Sequence, residues 1–105
     1  MSAPELVKSW RTTETLLARA RDALPDAPAH HEQEYARLLA QYREFLEHNE
    51  LVLALDILEE LGHLVPARGG FWRDLERAAE NMGLTDRLLA FRKAFVEPPV
   101  GPKFR

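Results

Sequence analysis

Apolar positions recur at helical spacing through most of the chain, and polar or proline-containing breaks divide them into five segments. The first carries Leu6, Val7, Trp10, Leu17, Ala20 and Leu24, with Ser2 and Glu5 spaced as a capping box at its start, and should stop before Pro25. Pro25-Asp26-Ala27-Pro28 reads as a turn, because two prolines so close block helix continuation. The second helix is predicted from about residue 30 to residue 47, on a stripe of Tyr35, Leu38, Leu39, Tyr42, Phe45 and Leu46. Asn49 is then expected as the N-cap of a third helix, with Glu50 in its first turn where the macrodipole favours a negative charge. On that helix Leu51, Ala54, Leu55, Ile57, Leu58 and Leu61 cover one broad face, while Asp56, Glu59, Glu60 and His63 lie opposite. Val52 and Leu53 border the acidic face, either as packing residues or as apolar anchors ringed by acid. A helix this apolar must be wrapped by others, which makes it the centre of an all-helical domain.

Pro66 and Gly69-Gly70 break the pattern before a fourth helix, predicted over residues 71–82, that buries Phe71 or Trp72, Leu75, Ala78, Ala79 and Met82. Gly83 suits the left-handed position that ends a helix, and Thr85 is expected to cap a fifth carrying Leu88, Leu89, Phe91 and Phe95. The predicted fold is therefore all-α: a compact bundle of about five helices, built from a leading helix and two helical hairpins. One domain over residues 1–96 would be followed by an extended Pro-rich tail, residues 97–105, with Phe104 as its anchor to the core. The two hairpin junctions lie about 33 residues apart, near the spacing of tetratricopeptide-type helical pairs.

Composition narrows the classes. At 105 residues and 46% hydrophobic, the chain can bury one modest core. Without cysteine it has no disulfide, thiolate metal site or Cys nucleophile. MSAPELVKSW does not read as a basic leader with an apolar core, and the longest apolar run, residues 51–55, is far short of the roughly 20 needed to span a bilayer. The expectation is a soluble cytoplasmic protein. The net charge of -3 argues against nucleic acid or an anionic membrane as the main partner. That charge is unevenly spread: residues 29–62 carry two basic and eight acidic groups, residues 63–105 eight basic and five acidic. Such asymmetry would steer a charged partner to one face.

Catalytic chemistry finds little to stand on. The histidines are His30, His31, His48 and His63, and the closest approach to ligand spacing is His30 with Glu34. Glu59 with Glu60, and Glu44 with Glu47, fall on predicted exposed faces where nothing would shift a pKa. Gly69-Gly70 lacks the Lys-Ser/Thr of a phosphate loop, and Ser2 and Ser9 have no partner base. The chain reads as non-enzymatic, with no cofactor and no metal.

Two resemblances point in different directions. Arg77-Ala78-Ala79-Glu80-Asn81-Met82-Gly83-Leu84-Thr85-Asp86-Arg87-Leu88-Leu89 resembles the helix-turn-helix of bacterial DNA-binding proteins, with a small Ala at the crossing and a Gly in the turn. That resemblance, set within residues 71–95, implies contacts to DNA from Thr85, Arg87, Arg92 and Lys93. Over residues 38–84, Phe45-Leu46-Glu47-His48-Asn49-Glu50 is followed by Leu53-Ala54-Leu55-Asp56, Leu58-Glu59-Glu60-Leu61, Phe71-Trp72 and Ala78-Ala79-Glu80-Asn81-Met82. This run is similar to small helical immunity proteins of bacterial polymorphic toxin systems, the Maf-type immunity family. The resemblance implies a cytoplasmic antitoxin that binds and occludes a cognate toxin domain without catalysis. An acidic surface suits a basic toxin domain, and surface logic points to Glu47, Glu50, Asp56, Glu59 and Glu60, with Val52 and Leu53 as anchors. The alternative is a helical adaptor or a homo-oligomer such as a homodimer.

Overall fold

The computed structural model describes residues 3–100, with side chains from residue 9 onward, and every regular element among them is helical. Helix α1 spans Ala3–Asp22, and a single 3-10 turn at Ala29–His31 leads into α2, Glu32–Glu47. Helices α3, Leu51–Leu64, α4, Gly70–Asn81, and α5, Thr85–Val96, complete the bundle. The expected Ser2–Glu5 capping box, the packing of Leu6 and Val7, and the anchoring of the tail by Phe104 lie outside the described residues. Helices α2 and α3 form one hairpin, α4 and α5 the other, and α1 lies along α4 while also touching α3.

The two hairpins close in the same way. At the end of α2, Asn49 takes φ 55° and the Glu50 N–H donates to Phe45 O at 2.8 Å while the Asn49 N–H donates to Leu46 O at 3.1 Å. At the end of α4, Gly83 takes φ 73°, with Leu84 N–H on Ala79 O at 2.9 Å and Gly83 N–H on Glu80 O at 3.1 Å. Both are Schellman closures, which satisfy the last carbonyls of a helix through one left-handed residue. Asn49 is therefore the terminator of α2 and not the N-cap of α3; that place belongs to Glu50, whose side chain makes no capping bond. Asn fills the position because its short polar side chain tolerates the left-handed region better than other non-glycine residues. Thr85 is likewise the first residue of α5, behind Leu84 at the N-cap, and no side chain caps that helix.

The core is centred where α3 meets α4. Phe71 and Trp72 are both fully buried, together with Leu17, Leu55, Leu58, Leu61, Leu75 and Phe91. The Trp72 Nε1–H donates to Ala67 O at 2.7 Å, and its ring lies 4.9 Å from Phe71 edge-on, 6.1 Å from Phe91 and 5.1 Å from His63. Gly62, in the last turns of α3, supplies the bare backbone against which the Phe71 and Trp72 rings sit.

Helix α4 also buries two carboxylates. Asp74 Oδ1 lies 3.5 Å from Arg19 of α1 and 4.0 Å from Arg77, while Glu76 Oε2 accepts from Arg92 Nε and Nη2 of α5, both at 3.1 Å. Arg73 approaches Glu76 Oε1 at 3.6 Å without a hydrogen bond and lays its guanidinium over the Phe95 ring at 4.5 Å. Buried carboxylates persist where cations meet them, so α4 is tied by charge to α1 on one side and α5 on the other. Asn81 Nδ2 adds a polar tie to α1, donating to Ser9 O at 2.8 Å and Thr13 Oγ1 at 2.7 Å.

Tyr42 on α2 is buried, and burial pushes its hydroxyl up to about 12, opposed by Arg21 and reinforced by Asp22 and Glu14. The unfolded phenol ionises near 10.0. The folded state therefore holds this proton longer, and stability that is complete below pH 10 should fall as pH rises toward 12. A two-unit shift corresponds to about 2 to 3 kcal/mol. Tyr42→Phe should track the parent chain at neutral pH and lose the Tyr42 share of that alkaline decline, measured as the difference between denaturant titrations at pH 8 and just under pH 12.

Candidate functional site

The exposed face of α3 is divided into three parts. At its start, Val52 (37% exposed) and Leu53 (44%) stay outside the core, just after the α2–α3 corner that carries the exposed Glu47 and Glu50. Val52 lines a concavity of about 390 Å³ with Ser9, Trp10, Thr13, Leu51 and Met82. Trp10, expected on the buried stripe of α1, is 51% exposed. Asn49 and Asn81 complete the lining, so the concavity joins the two Schellman corners to α1. The Asn81 amide is engaged with Ser9 and Thr13, which fixes that wall.

In the middle of α3, Asp56 is held by Arg87 of α5. Arg87 Nε donates to Oδ1 at 2.7 Å and Nη2 to Oδ2 at 3.1 Å, a two-pronged pair that raises the guanidinium above its ordinary value. Asp56 and Arg87, which the sequence assigns to two competing functions, are thus each other's partners. The pair is about one-third exposed, so it fixes orientation more than it adds stability.

Beyond it, Glu59 and Glu60 lie in the last turns of α3 with His63. Glu59, Glu60 and His63 line a groove of about 450 Å³ with Glu34 and Leu38 of α2 and Leu64. Glu59 and His63 also line a second, smaller groove, about 210 Å³, with Ala90, Lys93 and Ala94 of α5, Glu97 and Pro99. Glu59 is half-buried there, and burial raises its carboxyl above the usual range, with His63 opposing and Asp56 adding to the rise. This corrects the expectation that nothing in the Glu59–Glu60 pair would be shifted. His48, at the end of α2, directs Nδ1 at Glu44 O at 2.9 Å, and that bond raises it, with the charges of Glu44, Glu50 and Glu47 contributing.

The residues expected to contact DNA are dispersed in role. Arg87 serves Asp56, Arg92 serves Glu76, Lys93 lines the groove with Glu59 and Glu97, and Thr85 is exposed at the start of α5. Leu89, expected in the core of α5, is 55% exposed. Among the described residues no three His, Asp or Glu side chains are placed to hold a metal ion, and no helix is long and apolar enough to cross a membrane.

Sequence reasoning missed Trp10 as a surface residue and Asp74 and Glu76 as buried ones. The latter pair left one trace, the spacing Arg73-x-x-Glu76 interleaved with Asp74-x-x-Arg77. No protein-family model, curated protein or solved structure matches the chain.

Proposed function

We propose that this chain is a non-enzymatic, cytoplasmic protein-binding module of the immunity type, which occludes a cognate toxin domain through the end of the bundle where Trp10 and Val52 meet. The observation that carries this reading is the half-exposed Trp10, seated with Val52 and Met82 in a concavity that also takes in Asn49, the corner residue flanked in the chain by the exposed Glu47 and Glu50. A half-exposed tryptophan in a concavity with apolar and neutral polar walls is the kind of site where a few side chains dominate binding energy. Leu53 is a further exposed apolar side chain next to Val52 in the chain, and the exposed carboxylates Glu47 and Glu50 suit a basic partner. Occlusion requires a complementary surface and no reactive group, in keeping with the ordinary ion-pair roles of Asp56, Glu76 and Arg87.

The test is co-purification from the native source, followed by expression of the captured chain with and without this protein. A stoichiometric, basic partner that is toxic alone and harmless in the complex supports the reading. Trp10→Ala combined with Val52→Asp should lower thermal unfolding only modestly, since both side chains are partly exposed and outside the core, and weaken that complex at least tenfold, about 1.4 kcal/mol or more. Full affinity in the double variant would remove the Trp10 face from the reading. A partner that is harmless when expressed alone would leave a helical adaptor.

A further inference from the structure

Helix α5 is apolar on more than the side it buries. Phe91 and Ala94 face the core with Leu88 and Phe95 partly buried beside them, and at about 100° per residue the opposite side carries Asp86, Leu89, Lys93 and Val96. All four are exposed. Neither Asp86 nor Lys93 is in an ion pair among the described residues, whereas Arg87 and Arg92 of the same helix serve Asp56 and Glu76. The outer stripe therefore runs acid, leucine, base, valine at the three- and four-residue spacing that lines up one helix face. We propose that this stripe is the contact between two copies of the chain, packed α5 against α5 in antiparallel order about a two-fold axis.

Charge and symmetry select this occupant. A two-fold contact is isologous, so each residue of the patch finds on the second copy a contact that is returned in kind. With the axis at the middle of the stripe, Leu89 lies against the methylene stem of the second copy's Lys93, and Val96 reaches that copy's first turn. The Lys93 ammonium is then three residues, about 4.5 Å along the axis, from the second copy's Asp86, within the reach of its four-carbon stem. The ion pair is made twice. A parallel pair would instead set Asp86 beside Asp86 and Lys93 beside Lys93, and a partner of a single charge sign would satisfy only one end. Leucine and valine alone would suit many occupants; the order of charges is met in full by the same helix reversed. One helix pair is a small interface, so the association should be weak and rise with concentration. No residue of the Trp10 concavity belongs to the stripe, which separates this contact from the binding face proposed above.

The experiment is sedimentation velocity of the full chain, alone, over a concentration series reaching about 1 mM. Expected is a reversible monomer–dimer equilibrium that Leu89→Asp weakens about tenfold or more. Lys93→Asp and Asp86→Lys should each weaken it as well. Mixing those two single variants, or joining them in Asp86→Lys/Lys93→Asp, should restore it, because each exchange returns an acid opposite a base. Helical circular dichroism should stay unchanged throughout, since every altered position is exposed. A chain that remains monomeric across the series would overturn the proposal. So would a dimer indifferent to Leu89→Asp, or one that the single charge variants weaken and the double variant fails to restore. No other protein is present in any arm, so the outcome does not depend on the immunity reading.

Discussion

Gly62→Ala is expected to destabilise the fold by about 2 kcal/mol, although alanine is the better helix former by about 1 kcal/mol. Gly62 is buried in α3, and a methyl built there would lie 2.9 Å from Phe71 Cζ and 2.9 Å from Trp72 Cη2, with Phe71 Cε2 nearer still. Neither ring can yield cheaply. Phe71 is fully buried, and Trp72 is pinned by its bond to Ala67 O and by Phe91 across its face. The cost of overpacking, about 1 to 3 kcal/mol and at the upper end here, therefore exceeds the gain in helix propensity. Thermal unfolding should drop by about 8 °C for a domain of this size. Phe71→Leu in the same chain should recover part of the loss, because it removes the nearest atoms, and this non-additivity separates a steric origin from a backbone one. An equal or higher melting temperature for Gly62→Ala would show that the α3–α4 crossing relaxes freely.

The helical layout was legible because its signals are local. The stripe from Leu38 to Leu46 and the broad face from Leu51 to Leu61 follow helical spacing, and the structure buries their central residues. What periodicity cannot supply is where a partner helix stops. Trp10 shares a face with Leu17, but α4 reaches only as far as Asn81, which contacts Ser9 and Thr13. At this level of α1 the cover runs out, and a large apolar residue is left half-exposed. Asn49 failed for a different reason: the residue types that start a helix overlap with those that end one, and only the backbone angle separates the two roles. Asp74 and Glu76 gave no sign of their burial because their main neutralisers, Arg19 and Arg92, arrive from other helices.

Charge was the least legible feature, and it reshapes the candidate site. Counted along the sequence, the middle of the chain is acidic and the C-terminal part basic, as if two faces awaited two partners. In the folded chain Arg87 and Arg92 pair with Asp56 and Glu76 while their side chains stay partly exposed. Two of the arginines expected to contact DNA thus have carboxylate partners, while Glu47, Glu50, Glu59 and Glu60 are engaged in no ion pair among the described residues. These carboxylates without an ion pair, exposed at Glu47, Glu50 and Glu60, are what the proposed basic partner would meet.

Trp72 should be the most sensitive position in the chain, and a two-step series would divide its contribution. Trp72→Phe keeps an aromatic ring between Phe71 and Phe91 but deletes the Nε1–H, leaving the buried Ala67 carbonyl without that donor. An unmet buried acceptor and a smaller ring together should cost about 2 to 3 kcal/mol. Trp72→Ala also removes the stacked surface and opens a cavity where α3, α4 and α5 converge, for a total of about 3 to 5 kcal/mol. Urea titration would measure both steps. The chain offers its own control, since its other tryptophan, Trp10, is half-exposed and outside the core. Trp10→Ala should change stability little and remove the red-shifted, quencher-accessible part of the fluorescence, whereas Trp72→Phe should remove the blue-shifted, shielded part. If Trp72→Phe cost less than about 0.5 kcal/mol, the bond to Ala67 would be dispensable and the ring packing alone would hold the α3–α4 corner.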